Sequence, residues 1–176
     1  MQPLLITMEK TYHSKYGEMG VSKNLRVFKN PKMTKHTIKN LKELEVFVAQ
    51  KKEFFNQEKC YAFKGDMGAG KTTLIQMLLQ TLGVTNLQGS PTYAIVNQYA
   101  IEQTQREYFH LDCYRIKNID EAYDLGLEEL FNEKKAIFIE WPEKVIQFLP
   151  EETVWISIHS ESDNTRTIIL DYEYRS

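Results

Sequence analysis

A chain of 176 residues, 42% hydrophobic, 26% charged and 12% aromatic, is long enough for one globular domain with a real core and too short for two. That composition, at a net charge of -2, excludes a disordered, fibrous or low-complexity protein. No apolar run approaches the ~20 residues of a membrane helix, and the opening MQPLLITMEK lacks an export signal, so a cytoplasmic protein with no membrane partner is expected.

Residues 1–32 mix Lys with Gly, Ser, Asn and Pro without helical or alternating periodicity and end at Asn30-Pro31. They read as a basic, weakly ordered extension ahead of one domain over 33–176, with Met33 as an alternative start. Residues 1–40 hold eight Lys/Arg against two Asp/Glu, a balance of +6, and the rest carries -8. So acidic a body argues against tight autonomous binding to nucleic acid.

A short strand is expected near residues 35–39. Asn40 then caps a helix, Glu43 completes a capping box, and Leu41, Leu44, Phe47 and Val48 form the apolar face. Residues 60–63, CYAF, read as a buried strand running into Gly65, and Leu74, Ile75, Leu78, Leu79 and Leu82 give a helix closed by Gly83. Further strands are predicted at residues 93–101, 107–112, 136–141, 154–159 and 166–172, with helices near 120–131 and 143–148. ESDNT joins the last two strands as a hairpin turn. The order predicts a three-layer α/β, P-loop NTPase-like domain with a mixed sheet, parallel at the loop and antiparallel at one edge.

The chemistry centres on residues 65–73, GDMGAGKTT, which fit G-x-x-x-x-G-K-[ST] between an apolar strand and an amphipathic helix. Gly65, Gly68 and Gly70 let the backbone curl around phosphate oxygens, so Gly68, Ala69, Gly70, Lys71, Thr72 and Thr73 are candidate nucleotide contacts. Lys71 would bridge the β- and γ-phosphates, with a catalytic part in the transfer, and Thr72 would offer its hydroxyl to Mg²⁺. As a plain glycine turn the segment leaves the Lys-Thr pair unexplained. A metal carboxylate is needed too, and two acids close apolar strands: Asp112 in YFHLD and Glu140 in AIFIEW. Glu140 follows the more continuous apolar run and is the better metal ligand, with Asp112 a second carboxylate that orders metal or water; either could instead be a solvated strand end.

Thr92, in Ser90-Pro91-Thr92, is placed to sense the γ-phosphate or to form an ordinary turn. Trp141 is placed to stack on a base or partner or simply to pack. His110 reads as a strand residue, lacking a second His to share a metal. Arg115 meets a phosphate or a partner's carboxylate, or lies on the surface. Cys60 and Cys113 lack ligand spacing and read as reduced, half-buried core residues.

In order and spacing, GDMGAGKTT, GSPTYAIVNQY, YFHLDCYRI and IFIEWPEKV resemble the bacterial TsaE family, the ATPase of tRNA threonylcarbamoyladenosine biosynthesis, from about Met33 onward. The resemblance implies ATP and Mg²⁺ held by Lys71 and Thr72. It implies Glu140 on the metal side, Asp112 in catalysis, Thr92 in a switch-like loop and Trp141 beside the site. It also implies a weak intrinsic ATP hydrolase working with the TsaD and TsaB proteins, which would meet tRNA only through that complex. The extension over residues 1–32 departs from the family pattern.

Three other readings compete. A small-molecule or nucleoside kinase needs clustered arginines, and the five here, Arg26, Arg106, Arg115, Arg166 and Arg175, are dispersed. A GTPase needs an NKxD-like segment that the chain lacks. A nucleotide-gated binding module would use ATP to set a conformation, with turnover incidental.

Overall fold

The computed structural model describes residues 33–87, 89, 95–161 and 165–171, so the basic extension and Thr92 lie outside the described residues. The first strand, β1 (Thr34–Ile38), ends at Asn40, whose Oδ1 accepts the Glu43 N–H at 3.0 Å and starts α1 (Leu41–Gln50). Glu43 replies one residue earlier than in a standard capping box, its Oε2 accepting the Lys39 N–H at 2.8 Å. Leu44, Phe47 and Val48 face the core, whereas Leu41, grouped with them by spacing, is the first helical residue and is 62% exposed. A short α2 (Lys52–Phe55), which the sequence did not signal, extends α1 before β2 (Cys60–Lys64).

After β2 the glycine loop leads into α3 (Lys71–Leu82), closed by Gly83 in the left-handed region at φ 109°. Leu74, Ile75, Leu78 and Leu79 on α3 are buried almost completely, each worth about 1.5–3 kcal/mol in transfer free energy. Next come β3 (Val96–Ile101), β4 (Arg106–Asp112), α4 (Ile119–Asp124), α5 (Leu127–Asn132), β5 (Ala136–Glu140), β6 (Val154–Ser160) and β7 (Arg166–Asp171). The helix expected over 120–131 is broken where Gly126, at φ 67°, ends α4 and starts α5 afresh. That expected over 143–148 is a pair of 3-10 turns, Pro142–Lys144 and Ile146–Phe148, divided at Val145, whose φ of -131° and ψ of 19° lie outside the helical region.

The strands form one sheet in the order β1-β7-β6-β2-β5-β4-β3. The four central strands β6, β2, β5 and β4 are parallel, as expected around the loop, but both edges are antiparallel rather than one. The unexpected edge is the β3–β4 hairpin, which turns through EQTQ with Gln105 at φ 55° and contains no Gly, Pro, Asn or Asp to announce it. Alternation along the strands makes three layers. Tyr61, Phe63, Tyr108 and Phe138 join the core under α1, α2 and α3, while Cys60, Phe109, Leu111, Ile137 and Ile139 join the core under α4, α5 and the 3-10 turns. No described helix is long and apolar enough to cross a membrane.

Candidate active site

Because β2, β4 and β5 run parallel, their carboxyl ends emerge at one edge, where open α/β sheets place ligands. The loop leaving β2 is shaped by contacts only glycine permits. A Cβ on Gly65 would lie 2.5 Å from the Ile158 carbonyl oxygen of β6, and Gly70 caps α3 from the left-handed region, at φ 103°. With no side-chain cap at Gly70, the first turn of α3 keeps its N–H donors for another partner.

Lys71, the first helical residue, is only 5% exposed, and its Nζ donates to the carbonyls of Gly65 at 2.7 Å and Asp66 at 2.9 Å. It also lies 4.0 Å from the centroid of the Trp141 ring. Burial pushes the Lys71 pKa down, and the carboxylates of Glu140, Asp112, Glu143 and Asp66 push it back up. Its ammonium is thus tied to the loop backbone and surrounded by negative charge.

Next along α3, the Thr72 hydroxyl donates to Glu140, 2.8 Å from Oε1 and 2.9 Å from Oε2. Glu140 ends β5, 2% exposed, in register with Asp112 at the end of neighbouring β4. A second donor to Glu140 comes from β4: His110, fully buried, sets Nε2 2.9 Å from Oε1. Asp112 Oδ1 accepts the Tyr114 N–H at 3.1 Å, which fixes the carboxylate at the mouth of the site. After Glu140 the chain turns sharply through Trp141, whose φ of 57° costs a bulky residue about 1–3 kcal/mol. That turn sets the indole under Lys71 and 5.0 Å from the Tyr114 ring. Lys71, Thr72, Asp112, Tyr114, Glu140 and Trp141, with Gly68, Gly70 and Thr73, line a cavity of about 300 Å³.

A second cavity, about 280 Å³, opens on the other side of the glycine loop, between β1, α1 and β7. Its wall is mostly apolar, with Ile38, Leu41, Leu44, Leu74, Ile158 and Ile168, and Arg166 anchors it by donating from Nε to the Ala69 carbonyl at 3.1 Å. Gly68, Gly70 and Thr73 belong to both cavities.

Of the residues chosen from sequence, Gly68, Gly70, Lys71, Thr72, Thr73, Asp112, Glu140 and Trp141 meet at one cavity, and Ala69 faces inward beneath the loop, 2% exposed. Arg115 sits exposed in the 3-10 turn after Asp112, outside that lining. Cys60 and Cys113 are fully rather than half buried, and burial pushes both thiols up to about 12. His110 is more than a strand residue, being hydrogen-bonded to the metal candidate. Arg166 was passed over as a dispersed arginine, since only the β7 pairing brings it back to residue 69.

The sequence model of the threonylcarbamoyl adenosine biosynthesis protein TsaE matches residues 38–168. The chain belongs to the TsaE family. The tRNA threonylcarbamoyladenosine biosynthesis protein TsaE of Bacillus subtilis is 36% identical over 105 residues, 60% of this chain and 64% of that protein. Its Haemophilus influenzae counterpart is 38% identical over 106 residues, 60% of this chain and 65% of that protein. The match thus spans just under two-thirds of the length of these two relatives. The crystal structure of Bacillus subtilis YdiB superimposes with a TM-score of 0.66 at 26% identity, covering 81% of this chain and 86% of that one. All four motifs that carried the resemblance fall inside the matched TsaE region.

Proposed function

We propose that this TsaE-family protein is a cytoplasmic Mg²⁺-dependent ATP hydrolase that acts with TsaD and TsaB in threonylcarbamoyladenosine modification of tRNA. The observation that carries the reading is the convergence of Lys71, Thr72, Glu140 and Asp112 on one cavity at the carboxyl edge of the sheet. Among the described residues no cluster of three or more His, Cys, Asp or Glu side chains could enclose a metal ion. The Thr72 hydroxyl and the Glu140 carboxylate are hard oxygen donors that suit Mg²⁺, an ion that completes its shell with water and phosphate oxygens. When bound, Mg²⁺ would neutralise charge on the β- and γ-phosphates.

The chain's own groups supply the rest. The loop and the first turn of α3 hold the phosphates, and Lys71 trades its two backbone carbonyls for phosphate oxygens. Asp112 orients a water whose oxygen bonds to the γ-phosphorus as the bond to the β–γ bridging oxygen breaks, giving ADP and phosphate. The apolar cavity takes the base and sugar, with Leu41 on one wall and Arg166 on the other. Thr92, just ahead of β3, reports the γ-phosphate.

The test is ATP hydrolysis by the purified chain, alone and with the TsaD–TsaB complex, for the wild type and Asp112→Ala. The reading expects slow turnover that rises with the partners, and a variant that still binds ATP while its kcat falls by about 100-fold. Fast turnover indifferent to the partners contradicts it. A variant that supports tRNA modification without hydrolysis would make the protein a nucleotide-gated binding module instead.

A further inference from the structure

His110 lies behind Glu140, outside the cavity lining, and has no part in the proposed reaction. It points from β4 to the α3 side of the sheet, as Tyr108 does, and pairs in register with Phe138 on β5. Its ring is fully buried, and among the described residues only Glu140 hydrogen-bonds to it, because Nδ1 has no partner. An orphaned ring nitrogen costs folding energy that an aromatic hydrocarbon of similar size would avoid, so the imidazole is explained by what it does to Glu140.

Its effect there is unequal on the two carboxylate oxygens. Oε1 takes both the His110 Nε2 contact at 2.9 Å and the Thr72 hydroxyl at 2.8 Å, whereas Oε2 has only Thr72 at 2.9 Å. A carboxylate accepts only, so the proton in the His110 contact lies on Nε2. We propose that His110 is a positioning residue that clamps Oε1 of Glu140 from within the sheet and thereby presents Oε2 to the cation and its waters. The clamp pre-orients the carboxylate, sparing the cation the work of ordering it, as outer hydrogen bonds do for other metal-binding side chains. This inference rests on the reading of Glu140 as the metal carboxylate.

The test replaces His110 with Phe, Gln and Asn and measures two quantities for each folded variant. One is the Mg²⁺ concentration that half-saturates ATP hydrolysis; the other is affinity for a fluorescent ATP analogue in EDTA. A glutamine amide nitrogen reaches as far from the backbone as imidazole Nε2, and an asparagine only as far as Nδ1. His110→Phe and His110→Asn should raise the Mg²⁺ requirement about 10-fold or more, with His110→Gln within about threefold of wild type. Metal-free affinity should hold in all three. Phe and Asn variants with an unchanged Mg²⁺ requirement overturn the proposal, and so does equal loss in Gln and Asn. If Phe fails to fold, the Gln/Asn pair, matched in polarity, decides. Should Lys71→Ala bind the analogue as the wild type does, the nucleotide-site reading has failed and this inference falls with it.

Discussion

The two cavities flanking the glycine loop are nearly equal in size, about 300 and 280 Å³, and differ in the charges they carry. One gathers Asp112 and Glu140 from the ends of parallel strands with Lys71 at the start of α3, and the other is walled by Ile38, Leu41, Leu44 and Ile168 with Lys39 and Arg166 as its cations and no carboxylate among the described residues. Gly68, Gly70 and Thr73 belong to both, so a molecule with one charged and one flat apolar end could straddle the loop. The difference teaches how one loop can serve two ends of a ligand: under the proposed function β4 and β5 would supply carboxylates to the phosphate end, and β1, α1 and β7 would supply the shelter.

The hardest break is at the charged side. Lys71→Ala should weaken ATP binding by at least about 100-fold by calorimetry while circular dichroism stays native, since Lys71 is the one cation among the described residues lining that cavity. Gly65→Ala strikes the start of the glycine loop and should lower unfolding free energy by about 2–4 kcal/mol in denaturant titrations, because its Cβ would meet the Ile158 carbonyl at 2.5 Å and its φ of 151° disfavours any other residue.

A finer variant separates the two sides. Leu41→Ser should reduce affinity for ATP about fivefold, the value of a partly buried aliphatic contact, and leave inorganic triphosphate binding unchanged. Equal loss for both ligands would mean that the apolar cavity does not hold the base. The smallest effect is expected far from both, at the Lys135–Glu107 ion pair. Its hydrogen bond to Lys135 holds the Glu107 carboxyl below its ordinary value, so the pair adds stability above that value and loses it as pH falls through the lower folded-state value. Both groups are solvent-facing, so Lys135→Ala should leave neutral-pH melting indistinguishable from wild type and remove only that acid-range slope.

Much of the charged side was legible in sequence. Its parts are local patterns: a glycine loop between an apolar strand and an amphipathic helix, and acids closing apolar runs at Asp112 and Glu140. Pairwise sheet contacts were not legible. His110 meets Glu140 only because β4 lies beside β5, 30 residues apart, and spacing along the chain carries no trace of strand order. The apolar cavity was hidden for the same reason, its walls coming from residues 38–44 and 158–168. Leu41 looked like a core residue because helical periodicity marks a face, not which of its residues open onto a cavity. The second antiparallel edge escaped because EQTQ makes its turn without the residues that usually specify one.

The most direct test of the divided site is a crystal grown with a non-hydrolysable ATP analogue and Mn²⁺, measured at a wavelength where manganese scatters anomalously. The account predicts one anomalous peak beside Thr72 and Glu140, phosphates along the loop, and the base between Leu41 and Arg166. A peak elsewhere, or a base turned toward Tyr114 and Trp141, would contradict it.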